Sequence, residues 1–291
     1  MISFLFYYSI IIPVSILPFR LLYGLSNVLF YLLYYVTGYR KKVVMENIRN
    51  SFPERTHSQH ILISKKFYRH LCDLILESLK VFTISEKNIN KRMVIKNPEF
   101  IAPYFHQKRS MILAGGHYNN WEFFAVAIDS AIQHQAIGIY QPLSNIYFDA
   151  KMRKTRSRFG FKMISTKSVK QVFEDEKENV TVTIFGIDQS PSSKSKCHVM
   201  DFLNQPTRVV FGAEKYAKEY NYPVLYGRIS KIKRGFYSFE FSDIIEHPQE
   251  TKHGEITEKI THLLEQDIIR QPEYWLWSHK RWKHKCVPAT C

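Results

Sequence analysis

Met111-Ile112-Leu113-Ala114-Gly115-Gly116-His117-Tyr118-Asn119-Asn120-Trp121-Glu122 is the stretch from which the fold of this chain is read. It opens on a short apolar run, bounded by glycine, that reads as a buried strand. At Gly115 and Gly116 the backbone must turn tightly or come close to a ligand. From Glu122 the residues Phe123-Phe124-Ala125-Val126-Ala127-Ile128 continue as a helix. Strand, turn and helix in that order are the building unit of an α/β protein. The turn carries His117, and an acid, Glu122, stands in the first turns of the helix.

Working outward, the same alternation recurs. Strands are expected at 111–114, 136–140, 162–164, 180–185, 224–229 and 237–241, and helices at 121–133, 148–159, 169–178, 210–220 and 255–270. Repeated strand-then-helix units predict an α/β fold with a mostly parallel sheet flanked by helices. The last two strands, joined through Lys231-Ile232-Lys233-Arg234-Gly235, read as an antiparallel pair. Before the sheet, 43–52 reads as a helix ended by Pro53. A longer amphipathic helix spans 60–82, with Ile61, Phe67, Leu71, Leu74, Ile75, Leu79 and Phe82 at helical spacing. Its His70, Cys72 and Asp73 are ordinary face residues, not a metal site.

The chain has 291 residues and a formal net charge of +15, so its partner is expected to be anionic. Cys72, Cys197, Cys286 and Cys291 are scattered and form no Cys-x-x-Cys pair, which argues against a disulfide framework and against a zinc site. Between Met1 and Tyr39 the only charged residue is Arg20. That run exceeds the ~20 apolar residues needed to cross a bilayer. It lacks a basic n-region and an Ala-x-Ala site, so a cleaved signal peptide is not expected. Pro13, Pro18 and Arg20 divide it, giving either one tilted span or a re-entrant pair; one span plus an interfacial piece is the reading taken. A buried core hairpin is the alternative. Arg40-Lys41-Lys42 follow at once and put the rest of the chain on the cytoplasmic side. Two parts result: a membrane-anchoring helical segment, 1–39, and one catalytic domain, 40–291.

In open α/β sheets ligands collect at the carboxyl ends of the strands. Gly115-Gly116-His117, Tyr140-Gln141-Pro142-Leu143-Ser144-Asn145 and Gly186-Ile187-Asp188-Gln189-Ser190-Pro191 all fall there. The topology thus gathers His117, Asn145, Asp188 and Gln189 at one rim. Five residues of ideal helix rotate by about 140°, so His117 and Glu122 do not share a helix face. They meet only if His117 precedes the helix and Glu122 reaches back. In that arrangement the carboxylate takes the Nδ1 proton and leaves Nε2 free to accept a proton from a substrate. No Ser or Cys nucleophile stands beside the pair, which favours one-step transfer. The plainer reading is a capped turn with a surface histidine. A basic helix follows the second rim stretch, with Lys151, Arg153, Lys154, Arg156 and Arg158, and arginine forks suit phosphates and oxyanions. Lys194, Lys196 and Arg208 add to the basic rim. The closing stretch, from Tyr274 to Lys285, interleaves tryptophan with lysine and arginine, which suits an anionic membrane interface better than single-stranded nucleic acid behind an anchor.

These blocks together resemble the late (secondary) lipid A acyltransferases of Gram-negative bacteria, a branch of the lysophospholipid acyltransferase superfamily. His117 and Glu122 match the superfamily's His-x-x-x-x-Asp/Glu signature. Asn47 with Ser51-Phe52-Pro53-Glu54, Tyr140-Gln141-Pro142 with Asn145 and the arginines after it, Asp188-Gln189, and Trp275-Leu276-Trp277-Ser278-His279-Lys280-Arg281-Trp282-Lys283 resemble further family blocks in order. The resemblance runs from about Arg40 to near the end of the chain. It implies an acyltransferase of the bacterial inner membrane with no metal or bound cofactor and no nucleic-acid partner. His117 and Glu122 would be catalytic. Asn145, Arg153, Arg156, Arg158, Asp188 and Gln189 would hold substrate. Arg156, Arg158 or backbone N–H groups would stabilise an oxyanion. The implied donor is acyl carrier protein and the implied acceptor a lipid A precursor. Gly115-Gly116 and the Ser- and Lys-rich loop 190–197 depart from the family pattern, so a lysophospholipid or aminolipid acceptor stays open, as does a non-enzymatic anionic-lipid-binding role.

Overall fold

The computed structural model describes residues 2–176, 178–191 and 197–284. Its main sheet contains β1 (Met93–Ile95), β2 (Met111–Gly115), β3 (Gln135–Tyr140), β4 (Lys162–Ser165) and β5 (Thr181–Gly186). A hairpin, β6 (Cys197–Phe202) and β7 (Gln205–Val210), stands apart, and β8 (Val224–Lys233) and β9 (Phe236–Ile245) rejoin the sheet. The strand order is β1-β9-β8-β2-β5-β3-β4. Every neighbouring pair in it is parallel except β8 and β9. The expected mostly parallel α/β sheet, with its one antiparallel pair, is therefore present.

β2 lies in the middle of the sheet, hydrogen-bonded to β5 on one side and β8 on the other. That explains its unbroken apolar run, since a strand covered on both faces has no solvent side to make polar. Ile112 and Ala114 point into one core, with Phe67, Leu71, Ile260 and Leu264 of the helices His57–Lys80 and Glu255–Arg270. Met111 and Leu113 point into the other, with Phe123, Phe124 and Phe239 beneath the helix Trp121–Ala127. Thr56 and Gln59 form a capping box at the start of the long helix His57–Lys80.

Differences from the expected elements have local causes. β1 has three residues, too few to show a period. The β6–β7 hairpin turns through Leu203 and Asn204, with φ of 51° and 59°. Two left-handed residues suit a tight hairpin turn, but leucine there is no recognisable turn signal. Val209 and Val210 consequently close a strand, and the helix expected from 210 starts at Gly212. The helices after β2 and β3 are shorter than their patterns, Trp121–Ala127 and Ile146–Arg156, and 3₁₀ turns follow both.

The N-terminal run is broken at Leu17-Pro18. Ile2–Phe6 and Ile12–Ile16 are helical, joined by a π turn, and Phe19–Tyr31 leads into a second π turn, Leu32–Val36. By length and composition Phe19–Val36 could cross a membrane, and only 22% of it is buried, so it is not a core helix.

Candidate active site

The site is built by the register between β2 and β5. Gly115 lies opposite Gly186, and the Ile187 N–H donates to the Gly115 carbonyl at 3.0 Å. His117 and Asp188 each stand two residues beyond these glycines, so they leave adjacent strand ends side by side. The His117 backbone N–H donates to Asp188 Oδ2 at 2.8 Å, and His117 Nδ1 lies 2.7 Å from Asp188 Oδ1. Gly186 leaves room for the ring: a Cβ there would sit 3.2 Å from His117 Cε1. Trp275 Nε1 donates to Asp188 Oδ2 at 2.8 Å.

Burial alone would raise the Asp188 carboxyl, but the charge and hydrogen bonds of His117 outweigh it, with Trp275, and hold it at about 2. Burial alone would lower the His117 imidazole; the Asp188 carboxylate outweighs it and the imidazole is raised above its ordinary value. An ionised carboxylate only accepts, so Nδ1 carries the proton of neutral His117 and Nε2 carries the lone pair. Gln189 Nε2 lies 3.1 Å from that nitrogen and donates to it. The Trp121 ring stands edge-on to the imidazole, centroids 5.1 Å apart.

Glu122 does not take the place expected of it beside Nδ1. It accepts from Arg156 Nε at 3.0 Å and from Arg156 Nη2 at 2.6 Å, a two-pronged ion pair in which both side chains are largely buried. The reason is the helix start. Asn120 caps it, accepting from the Phe123 N–H at 2.8 Å. Glu122 therefore leaves the first turn toward Arg156, the last residue of the helix Ile146–Arg156. Arg156 Nη1 has no protein acceptor among the described residues.

The other expected residues divide. His117, Glu122, Arg156 and Gln189 line one cavity of about 1250 Å³, and Asp188 stands behind His117. Asn145 instead caps the helix Ile146–Arg156, accepting from the Phe148 N–H, and its amide donates to Ser3 Oγ. Arg153 is exposed, 3.5 Å from Asp149. Arg158 donates to the carbonyls of Val81 and Ile84 at 2.9 and 2.6 Å and so ties down main chain. Arg208 is buried in β7, and Lys194, Lys196 and Lys285 lie outside the described residues.

The aromatic-basic tail is also placed differently from its expected interface position. Trp275 and Trp277 are fully buried, and Trp277 Nε1 donates to the Pro272 carbonyl at 2.6 Å. Trp282 Nε1 donates to Thr207 Oγ1 at 2.7 Å. The stretch from Tyr274 to Trp282 folds beneath the site, where Tyr118 bridges to Trp275 and the Ser190 N–H donates to His279 Nε2 at 3.2 Å. Arg281 is buried there too; burial lowers it to about 10 against the opposing pull of Asp188. Trp275 is the residue the sequence reading left out of the site. Its signal was available, since a tryptophan flanked by bulky neighbours and drawn inward brings an N–H that must find an acceptor.

Behind the polar end the cavity is apolar. Phe124, Phe161, Met163, Ile184, Ile229 and Phe239 form its walls. Gly138 and Gly227 form part of its floor, and Cβ atoms on them would come within 2.3 Å of the Phe161 ring and 2.6 Å of the Phe239 ring. Both rings rest on the sheet only because those positions are glycine.

The geometry brings together an imidazole whose Nε2 faces a cavity, an arginine that lines the same cavity, and apolar walls behind them. The family model described as bacterial lipid A biosynthesis acyltransferase matches residues 2–284. No curated protein matches the chain.

Proposed function

The chain belongs to the bacterial lipid A biosynthesis acyltransferase family, and from that premise we propose that it moves a fatty acyl chain from an acyl carrier protein thioester to a hydroxyl of a lipid A precursor, with His117 as general base. The observation that carries this reading is the 2.7 Å pairing of His117 Nδ1 with Asp188 Oδ1, which leaves the Nε2 lone pair on the cavity side beside Gln189.

The steps follow from the side chains. The acceptor hydroxyl displaces the Gln189 amide and donates to Nε2. As its oxygen bonds to the thioester carbonyl carbon, the proton passes to Nε2, and Asp188 stabilises the imidazolium. Negative charge develops on the former carbonyl oxygen. Arg156, which lines the cavity along with Lys215, is suited to meet it, oriented by Glu122 and with Nη1 uncommitted. The intermediate collapses with loss of the thiolate, which recovers the proton from His117. The acyl chain lies in the slot walled by Phe124, Phe161 and Phe239. Residues 1–39 hold residues 40–291 at the cytoplasmic face of the inner membrane, where the acceptor resides. The excess positive charge suits an acidic carrier and phosphorylated head groups.

The test is transfer from acyl carrier protein thioesters to a panel of purified acceptors, a lipid A precursor, lysophospholipids and aminolipids. His117→Ala is expected to abolish transfer while its circular dichroism and melting temperature stay those of the parent. A folded His117→Ala protein with full activity contradicts the base. Transfer only to another lipid contradicts the acceptor.

A further inference from the structure

Among the described residues, fifteen of the exposed large apolar side chains belong to the first 39 positions, among them Ile2, Leu5, Ile10, Ile16, Leu21, Leu25, Val28, Leu32 and Val36. On Phe19–Tyr31 three of them, Leu21, Leu25 and Val28, fall on one stripe continued by Leu32, with exposed Tyr31 beside it. The opposite stripe, Leu22, Ser26 and Phe30, is buried.

The buried stripe is bonded along the helix His57–Lys80 by polar contacts. Tyr23 Oη donates to Glu77 Oε1 and Ser26 Oγ to Asp73 Oδ1, both at 2.7 Å. Lys80 Nζ donates to the carbonyls of Ser15 and Leu17 at 2.7 and 2.9 Å, capping the break between the two helical pieces. Arg234 reaches Asn27 Oδ1 at 2.9 Å from the β8–β9 turn while also gripping Asp73. Toward the other end Arg69 stacks on Phe30, and Tyr68 packs edge-on against Tyr34. Contacts thus run from Ser15 to Tyr34 with no free stretch between.

A helix held in this way cannot leave the body to cross a bilayer alone. Doing so would strip Glu77 and Asp73, both buried, of partners. Nor can the body's helix go with it, since it carries Lys65, Lys66, Arg69, Asp73, Glu77 and Lys80.

We propose that the N-terminal apolar segment lies along the membrane surface, docked on the body, with its outward stripe in one leaflet and both its ends on the cytoplasmic side. The inference rests on reading residues 1–39 as the membrane anchor. The occupant of the stripe is lipid: the segment carries Arg20 at its break and is followed in sequence by Lys42, cations that suit anionic head groups. It is also continuous with the cavity mouth. Phe4 meets Tyr147, Phe6 meets Phe148, and Ser3 holds Asn145, all at the start of the helix whose Asp149, Met152 and Arg156 line the cavity. Exposed Leu143 and Ile146 extend the apolar surface to that mouth. A lipid acceptor would reach His117 sideways out of the same leaflet.

The experiment places a protease-cleavable tag ahead of Met1 and another after Cys291 of the full chain, in bacterial membranes. Both tags are expected to be cut in inside-out vesicles and neither in spheroplasts. Cleavage of the N-terminal tag from outside spheroplasts shows a span and overturns the inference while leaving the anchor intact. Recovery of the parent in the soluble fraction overturns the anchor reading itself. In a second arm, the Leu25→Asp/Val28→Asp protein is sedimented with phosphatidylethanolamine–phosphatidylglycerol vesicles. A loss of binding of tenfold or more, at an unchanged melting temperature, is expected. Unchanged binding, or a parent dimer that the substitutions dissociate without any effect on vesicle binding, overturns it.

Discussion

At the scale of single residues, the imidazole proposed as base and the carboxylate that pairs with it come from different places in the chain. His117 is legible because a histidine after an apolar strand and two glycines has few other uses. Its partner is not legible by proximity: Glu122 is near in sequence but turned to Arg156, while Asp188 reaches Nδ1 from the next strand. What would have found it is the shared offset from Gly115 and Gly186, and that offset has meaning only once β2 and β5 are known to be neighbours. Glu122 and Arg156 form a unit in which either alone is a buried charge without its partner. Glu122→Gln and Arg156→Gln are each expected to lower kcat by about a hundredfold, on the order of 3 kcal/mol. The double substitution should cost little more than either single one. Additive losses in steady-state assays would show that the two act separately.

Among the elements, periodicity revealed the strands of the sheet other than the three-residue β1, and the order of the main helices, because burial on two faces or one leaves a clear pattern. It did not reveal the β6–β7 hairpin, whose left-handed turn at Leu203 carries no glycine signal, or the fate of the closing tryptophans. Interleaved tryptophan and lysine describe an interface and a buried strap equally well; hydrogen bonds from Trp275 to Asp188 and from Trp277 to Pro272 decide for the strap. The slot between the sheet and the helix Trp121–Ala127 is likewise invisible without strand order, since Gly138 and Gly227 come from strands on either side of β2 and β5. Gly138→Ala places a methyl against Phe161 and pushes that ring into the slot. Chain-length preference is then expected to shift to shorter acyl groups, at about 0.8 kcal/mol, or about fourfold, per excluded methylene. Competition among acyl carrier protein thioesters of graded length measures this, and an unchanged preference would place the acyl chain elsewhere.

For the molecule as a whole, composition pointed to an anionic, membranous setting, and the apolar N-terminal run to its anchor. Composition could not say how the run meets the body, because Tyr23, Ser26 and Asn27 look unremarkable among apolar neighbours. Their partners Glu77, Asp73 and Arg234 are distant in sequence. Glu77 links this arrangement to the site: its carboxylate also accepts from Tyr237 Oη and from Asn120 Nδ2, the residue that caps the helix bearing Glu122. One buried acid thus joins the N-terminal helix, the sheet and the site helix, and ties segment 1–39 to the rest of the chain.

The central claim, that Asp188 holds His117 as the base, is tested most directly by the pH dependence of kcat/KM for Asp188→Asn beside the parent. In the parent the raised imidazole must lose its proton before it can act, so activity should rise with pH through a midpoint above the ordinary ~6.5 of histidine. Without the Asp188 carboxylate the imidazolium loses its stabilising charge. The midpoint should then move to lower pH, while kcat falls by about 10³–10⁴-fold. A profile that keeps the parent's midpoint, or a rate within a few-fold of the parent's, would contradict the account.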